Sequence, residues 1–285
     1  MRPCFPSLLA FVRGSATTTQ RKTRLSFPAS RARLRKTLKI FVDKTPWPPI
    51  PRGKLILVAD ALIEILRQRV WTIYFVLARP RDSNQAVILP PVLAAGTENS
   101  QGGWEKAFQK LPLGLKRNVL ALICDGATTL VSCAKKQNWK IQRCHFHLRW
   151  RIANYVRLGP LSRHLKTGQE MVKLVEIILT SHDVKLVKRT VRELSRFRKT
   201  IASQGLKRVL SGLVKHYRDY RVYLDHPELN LPLTTNSVES LISQIRKLQY
   251  RARGFSSPES LFSWVVAFCK CQGWITCNGN KNQPN

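Results

Sequence analysis

The chain has 285 residues, with 49 Lys and Arg against 16 Asp and Glu, a formal net charge of +33 at pH 7 and a sequence pI near 10.8. A hydrophobic content of 44% builds a core, which excludes a disordered basic tail, and no run reaches the ~18 apolar residues of a membrane span. Charge this far from neutrality strains a compact monomer and calls for a polyanionic partner, nucleic acid before anionic membrane; an acidic or neutral small molecule alone does not require it.

Residues 1–44 contribute +10, 45–148 +8, 149–225 +12 and 226–285 +3. A short targeting signal does not account for that spread, although residues 1–42 hold no acid and superficially suit a transit peptide. A basic surface tracking a phosphate backbone does. Seven cysteines at irregular spacing indicate reduced thiols in a cytosol, not a disulfide framework.

In chain order, Arg31–Val42 reads as a basic amphipathic helix with Leu34, Leu38 and Phe41 on one face. The run Pro46-Trp47-Pro48-Pro49-Ile50-Pro51 breaks regular structure and reads as a linker. Strands are predicted at Leu55–Ala59, Val70–Ala78, Gln85–Leu89, Val119–Cys124 and Trp139–Arg143, with helices at Gly102–Leu111 and Ala127–Gln137. After His147 the pattern is helical. Val184, Val187, Val191, Leu194 and Ile201 keep helical spacing while Lys188, Arg189, Arg192, Arg196 and Lys199 fill the other faces. A helix is expected from Asn236 to Arg253, stopped by Gly254, and another capped by Ser257 with Pro258 at its first position. Strands interleaved with helices, then a helical block, give an α/β core with a helical insertion.

In a chain this basic the carboxylates are the informative minority. Asp60 closes the apolar run Leu55–Ala59, and Asp125 closes Val119–Cys124 and is followed by Gly126. Ligand sites of open α/β sheets gather at the carboxyl ends of strands. If the two strands are parallel neighbours, the carboxylates converge and need a divalent cation or a shared proton. Read singly, each Asp also suits a helix cap or an Asp-Gly turn. Glu239 fits two roles: closing a capping box on Asn236, or joining the other carboxylates. Cys144-His145-Phe146-His147 is half of a zinc pattern, whose second pair would come from Cys269, Cys271 or Cys277; read alone, it suits a satisfied core pair better than a bound zinc. Trp139, Trp150 and Tyr155 among arginines suit either packing or base stacking.

Taken in order, Leu57-Val58-Ala59-Asp60-Ala61, Cys124-Asp125-Gly126-Ala127, Gln142-Arg143-Cys144-His145-Phe146-His147-Leu148 and Thr235-Asn236-Ser237-Val238-Glu239-Ser240 resemble the Mutator-like superfamily of DDE transposases, of the bacterial insertion-sequence type. The resemblance runs from Leu55 to Phe268. No single piece is specific; the ordered set is.

The resemblance implies an α/β fold: an RNase H-like core, a mixed five-stranded sheet with flanking helices, interrupted by an all-helical insertion. On that division, residues 1–45 are a basic N-terminal segment, a shortened helix-turn-helix remnant, and 46–53 the Pro-rich linker. Residues 54–148 are the first part of the core, 149–232 the insertion, and 233–285 the final core helices with the catalytic Glu. It implies Asp60, Asp125 and Glu239 as the catalytic triad, holding two Mg²⁺ (or Mn²⁺) ions ~3.5–4 Å apart for phosphoryl transfer on DNA. Cys144 and His147 become a signature, structural with zinc or DNA-proximal. Arg143, Arg149, Arg151, Lys188, Arg189, Arg192, Arg196, Arg246 and Arg251 are expected on double-stranded DNA, both element ends and target. The protein is expected to be a homo-oligomer on DNA, cytoplasmic and nucleoid-associated, with no membrane partner. Two other readings share these residues: an RNase H-like nuclease or resolvase without strand transfer, and a decayed DNA-binding remnant.

Overall fold

The computed structural model describes residues 27–100, 102–157, 165–251, 255 and 257–279. Helix α1 (Phe27–Lys44) covers the expected Arg31–Val42 stretch. It is not a segment apart: Leu38 and Phe41 are buried in the main core, and the helix packs on the last helix of the chain, α11 (Pro258–Gln272). Lys270 of α11 donates to the carbonyls of Val42 and Thr45, placing a cation at the C-terminus of α1, where the helix dipole favours it. The side chain of Leu34 lies outside the described residues.

Among the described residues the sheet is mixed, as expected, with seven strands instead of five. They are β1 (Leu55–Leu66), β2 (Arg69–Pro80), β3 (Gln85–Ile88), β4 (Val92–Ala95), β5 (Val119–Cys124), β6 (Lys140–Arg143) and β7 (Trp274–Thr276). The order is β6-β5-β1-β2-β3-β7, with β4 pairing β2. The two unexpected strands, β4 and β7, are four and three residues long, too short for a periodic signal. β1 is much longer than its apolar run predicts. Its outer half, with Ile63 and Ile65 exposed, is held by β2 through Leu66↔Arg69 rather than by burial. The two-residue turn Arg67-Gln68, at φ 50° and 62°, matches the strand twist as a type I′ hairpin turn requires.

Alternating residues of the strands feed opposite faces. One face packs Ile56, Val58, Leu62 and Ile123 against α11 and against Val238, Leu241 and Ile245 of α10 (Asn236–Arg251). The other packs Leu55, Leu57, Ala59 and Leu122 against Trp104 and Phe108 of α2 (Gly103–Gln109) and Leu130 and Ala134 of α4 (Thr128–Lys136). The short helix α3 (Leu113–Lys116) lies between α2 and β5 in sequence. Trp139 is 5% exposed and packs edge-on to Phe108 at 5.1 Å, so it is core and not a base-stacking surface.

The helical stretch has a core of its own. It comprises α5 (His145–Arg157), α6 (Leu165–Thr180), α7 (Val184–Thr200) and α8 (Gln204–His216), packed around Leu148, Ile152, Ile178, Leu194, Leu206 and Leu210. Its return to the sheet, through α9 (Val222–Asp225), is pinned by Arg221, which donates to the carbonyls of Ile178 and Ser181 at 2.6 Å each. The expected cap of α11 forms: Ser257 Oγ accepts from Ser260 N–H at 3.2 Å, with Pro258 at the first helical position. The expected stop at Arg253-Gly254 lies outside the described residues.

Candidate active site

β1 and β5 are parallel neighbours in the register Leu57↔Leu122 and Val58↔Ile123. Asp60 and Asp125 each lie two residues beyond the last of these pairs, so they lie side by side and, by alternation, on the face covered by α10. Asp60 is not at a strand end, as its apolar run implies. It lies inside β1, opposite Phe75 of β2, at the point where β1 has lost its β5 neighbour. The lost neighbour leaves room there for a side chain to face the end of β5.

Neither Asp is a helix cap. Asp60 accepts from the adjoining Ala61 N–H at 2.8 Å. Asp125 Oδ1 accepts from Ala127 N–H at 2.8 Å, while α4 begins after Ala127 with no side-chain cap. Arg151 Nη2 lies 3.6 Å from Asp125 Oδ2. Burial first, and then the charges of Asp125 and Glu239, push the Asp60 carboxyl up to about 7.

Glu239 does not close a capping box on Asn236. Thr235 stands at the start of α10, its carbonyl accepting from Val238 and Glu239 N–H at 2.9 and 3.0 Å. Asn236 N–H goes to Thr234 Oγ1, at 3.4 Å. The Glu239 carboxylate instead accepts from the Thr235 hydroxyl at 2.7 Å and lies 3.6 Å from His147 Nδ1. Cys144, His147 and Glu239 present ligand atoms within 4.8 Å of one another, the group of this kind among the described residues. Cys269, Cys271 and Cys277 are not in it: Cys269 is buried in the sheet–α11 core, and Cys277 Sγ accepts from Ser237 Oγ. A second pair from Cys269, Cys271 or Cys277 therefore does not join Cys144 and His147 among the described residues. Burial pushes the Cys144 thiol up. His145 is a core residue, with Nε2 2.7 Å from Tyr220 O and its ring pushed down to about 4 by burial.

Glu98 is a fourth carboxylate that no motif flagged. It sits between β4 and α2, its loop held by the Tyr74 hydroxyl on the Thr97 and Glu98 carbonyls (3.3 and 3.4 Å) and by Thr129 on the Glu98 carbonyl (3.4 Å). Its Oε1 is sealed from solvent and, like the neighbouring Trp104 Nε1, makes no hydrogen bond of ordinary geometry. Burial, then the charges of Asp125 and Asp60, push it up to about 8. Its one sequence signal is an acid in a Gly-Thr-Glu-Asn turn, which turn chemistry alone explains.

The basic residues divide. Arg143 points inward, 11% exposed, paired with Asp219 at 3.2 Å. Its guanidinium packs over Gly126, where a Cβ would come within 2.5 Å of Nη1; Gly126 also holds φ +97°, so Gly serves both needs. Arg149 makes a two-point bond to Glu176, at 2.8 and 2.6 Å. Arg151 is 48% exposed beside Asp125. Lys188, Arg189, Arg192 and Arg196 form a row on α7, largely open to solvent, and Arg246 is exposed on α10. Arg251 ends α10, and its side chain lies outside the described residues. Trp150 of α5 is 54% exposed. No helix among the described residues is long and apolar enough to cross a membrane.

Residues 55–276 match the family model described as Transposase, Mutator family. No curated protein matches the chain.

Proposed function

The chain belongs to the Mutator family of transposases, DNA-cleaving enzymes, and on that basis we propose that it cleaves DNA at transposon ends and transfers the cut strand into target DNA, with Asp60, Asp125 and Glu239 as its DDE triad. One observation carries this reading: the parallel β1–β5 register sets Asp60 beside Asp125, and α10, the helix that carries Glu239, packs on the same face through Val238, Leu241 and Ile245. The order β3-β2-β1-β5-β6 within the sheet supports an RNase H-like core, and the separate core of α5–α8 supports an insertion.

The donor set fits a hard divalent cation. Its members are carboxylates, and their crowding adds to the burial that raises Asp60 to about 7, a cost that a cation relieves. Asp60, Asp125 and Glu239 would hold Mg²⁺, or Mn²⁺ in its place. Bound there, the metal supplies Lewis acidity toward the phosphate and lowers the pKa of the attacking hydroxyl. The chain's own residues do the rest. Arg151 brings a cation beside Asp125 to meet the scissile phosphate, and the α7 row and Arg246 hold flanking backbone. The assay is Mg²⁺-dependent nicking of duplexes bearing the ends of the encoding DNA element, with a supercoiled target present. Joined product supports transposition; nicks alone would reduce the protein to a nuclease.

A folded carboxyl held above its ordinary value binds its proton more tightly than the unfolded chain does. The stability from Asp60 is thus full below 3.8 and is lost as pH rises to about 7. The Tm of metal-free protein therefore carries a downward component over that window. Asp60→Asn removes it, and Mg²⁺ offsets it at pH 8 but not at pH 4. Differential scanning fluorimetry across pH reads both, and Mg²⁺ without effect on Tm at pH 8 would contradict a cation among the carboxylates.

Replacing Lys188, Arg189, Arg192 and Arg196 with Gln is expected to weaken DNA binding for every sequence. The log–log salt slope should fall by ~0.9 for each phosphate no longer neutralised, about 3–4 in all. Fluorescence anisotropy at several salt concentrations measures it; an unchanged slope would put DNA on another face.

A further inference from the structure

The Cys144-x-x-His147 segment is the seam of the site. Cys144 N–H donates to the carbonyl of Cys124, next to Asp125, at 2.7 Å. His145 N–H donates to the carbonyl of Leu233, ahead of α10, at 2.8 Å. The segment thus joins the end of β5 to the start of the helix carrying Glu239.

At the centre of that seam is one buried hydroxyl. Thr235 is 0% exposed, and its Oγ1 lies 2.7 Å from Glu239 Oε1, 3.4 Å from Cys144 Sγ and 3.4 Å from His147 Nδ1. Thr235 N–H donates to Cys144 Sγ at 3.3 Å. A metal bound by Cys144, His147 and Glu239 would need the space between them, and the Thr235 hydroxyl fills it. A hydroxyl has one proton and two acceptor sites. The shortest contact assigns the proton to Glu239, which leaves Cys144 and His147 to donate to Thr235 Oγ1.

We propose that Thr235 is a positioning residue: its hydroxyl, oriented by Cys144 and His147, fixes the Glu239 carboxylate toward Asp60, and the Cys-x-x-His segment works without a metal of its own. This rests on the reading of Glu239 as a Mg²⁺ ligand. Groups that orient metal ligands in this way are worth about 10–100-fold in metal affinity or activity.

The test compares Thr235→Val, which keeps the shape and removes the hydroxyl, with Thr235→Ser, which keeps the hydroxyl, on the full chain. Mn²⁺ binding by calorimetry, the Mg²⁺ dependence of cleavage, Tm and zinc content are read on each, with Asp125→Asn alongside. Thr235→Val is expected to weaken Mn²⁺ binding and raise the half-saturating Mg²⁺ about 10-fold or more, with DNA affinity retained; Thr235→Ser restores both, and the wild type carries no zinc. Wild-type Mn²⁺ affinity in Thr235→Val overturns the positioning role alone, as does stoichiometric zinc lost on Cys144→Ala. Absence of Mn²⁺ binding in the wild type, or no effect of Asp125→Asn, overturns the metal-site reading beneath it. If Thr235→Val does not fold, Thr235→Ser against Thr235→Ala gives the same comparison.

Discussion

Asp125→Asn is expected to abolish Mg²⁺-dependent DNA cleavage, by about 10³-fold or more, while DNA binding persists. The substitution is nearly isosteric and keeps an oxygen to accept the Ala127 N–H that Asp125 Oδ1 now holds at 2.8 Å, so the turn into α4 survives. What it removes is charge. Metal stabilisation of phosphoryl transfer is worth several kcal/mol, and each ~1.4 kcal/mol is a factor of ten in rate. Arg151, now 3.6 Å from Asp125 Oδ2, loses its anionic neighbour and is freer to meet phosphate, so DNA affinity holds or rises. Denaturing gels for cleavage and anisotropy for binding separate the two effects. Cleavage at the wild-type rate would remove Asp125 from the chemistry and, with it, the proposed triad.

Trp104→Ala is expected to cost about 3–5 kcal/mol of stability, the range for emptying a large aromatic site. Trp104 is fully buried at the start of α2. It meets Tyr74 edge-on at 4.9 Å and stacks on Phe108 at 6.1 Å, and Phe108 in turn meets Trp139. Relaxation into the cavity is restricted, because Gly103 already abuts the Tyr74 ring, where a Cβ would collide with Cζ. Against a typical total of about 5–15 kcal/mol, such a loss leaves the protein marginal. Urea unfolding reads it directly, and Trp104→Phe should recover most of the loss. A cost under ~1 kcal/mol would show that this aromatic row does not anchor the face, since a buried aromatic truncation rarely costs so little. Trp104 also walls the Glu98 carboxyl, so the variant should loosen that loop.

Much of the candidate site was legible in the sequence because its carriers are local. An acid closing an apolar run, Asp-Gly after a second run, and Thr-Asn-x-x-Glu opening a helix are each contiguous. Other features have no contiguous trace. Glu98 has only a turn around it, and what raises its carboxyl is burial first, then the charges of Asp125 and Asp60, contributed by other segments of the chain. Arg143 reads as a DNA contact among basic neighbours, yet Asp219, 76 residues on, draws it inward. Asn236 and Glu239 have capping-box spacing, but Thr234 and Thr235 take the hydrogen bonds that the box would have made.

Local patterns of residues were enough to indicate the alternation of strands and helices and the basic helical stretch, and the resemblance of the ordered motif singled out its three acids. Periodicity, turn chemistry and charge act over a few residues, and such patterns survive in one dimension. That β1 and β5 run parallel, in a register that aligns Asp60 with Asp125, emerged only in the folded chain. The fold alone brought Thr235 to Cys144, 91 residues away, and made one hydroxyl the meeting point of the signature and the third acid. Burial and hydrogen-bond competition are settled between distant segments, and a single strand of text does not say which partner prevails.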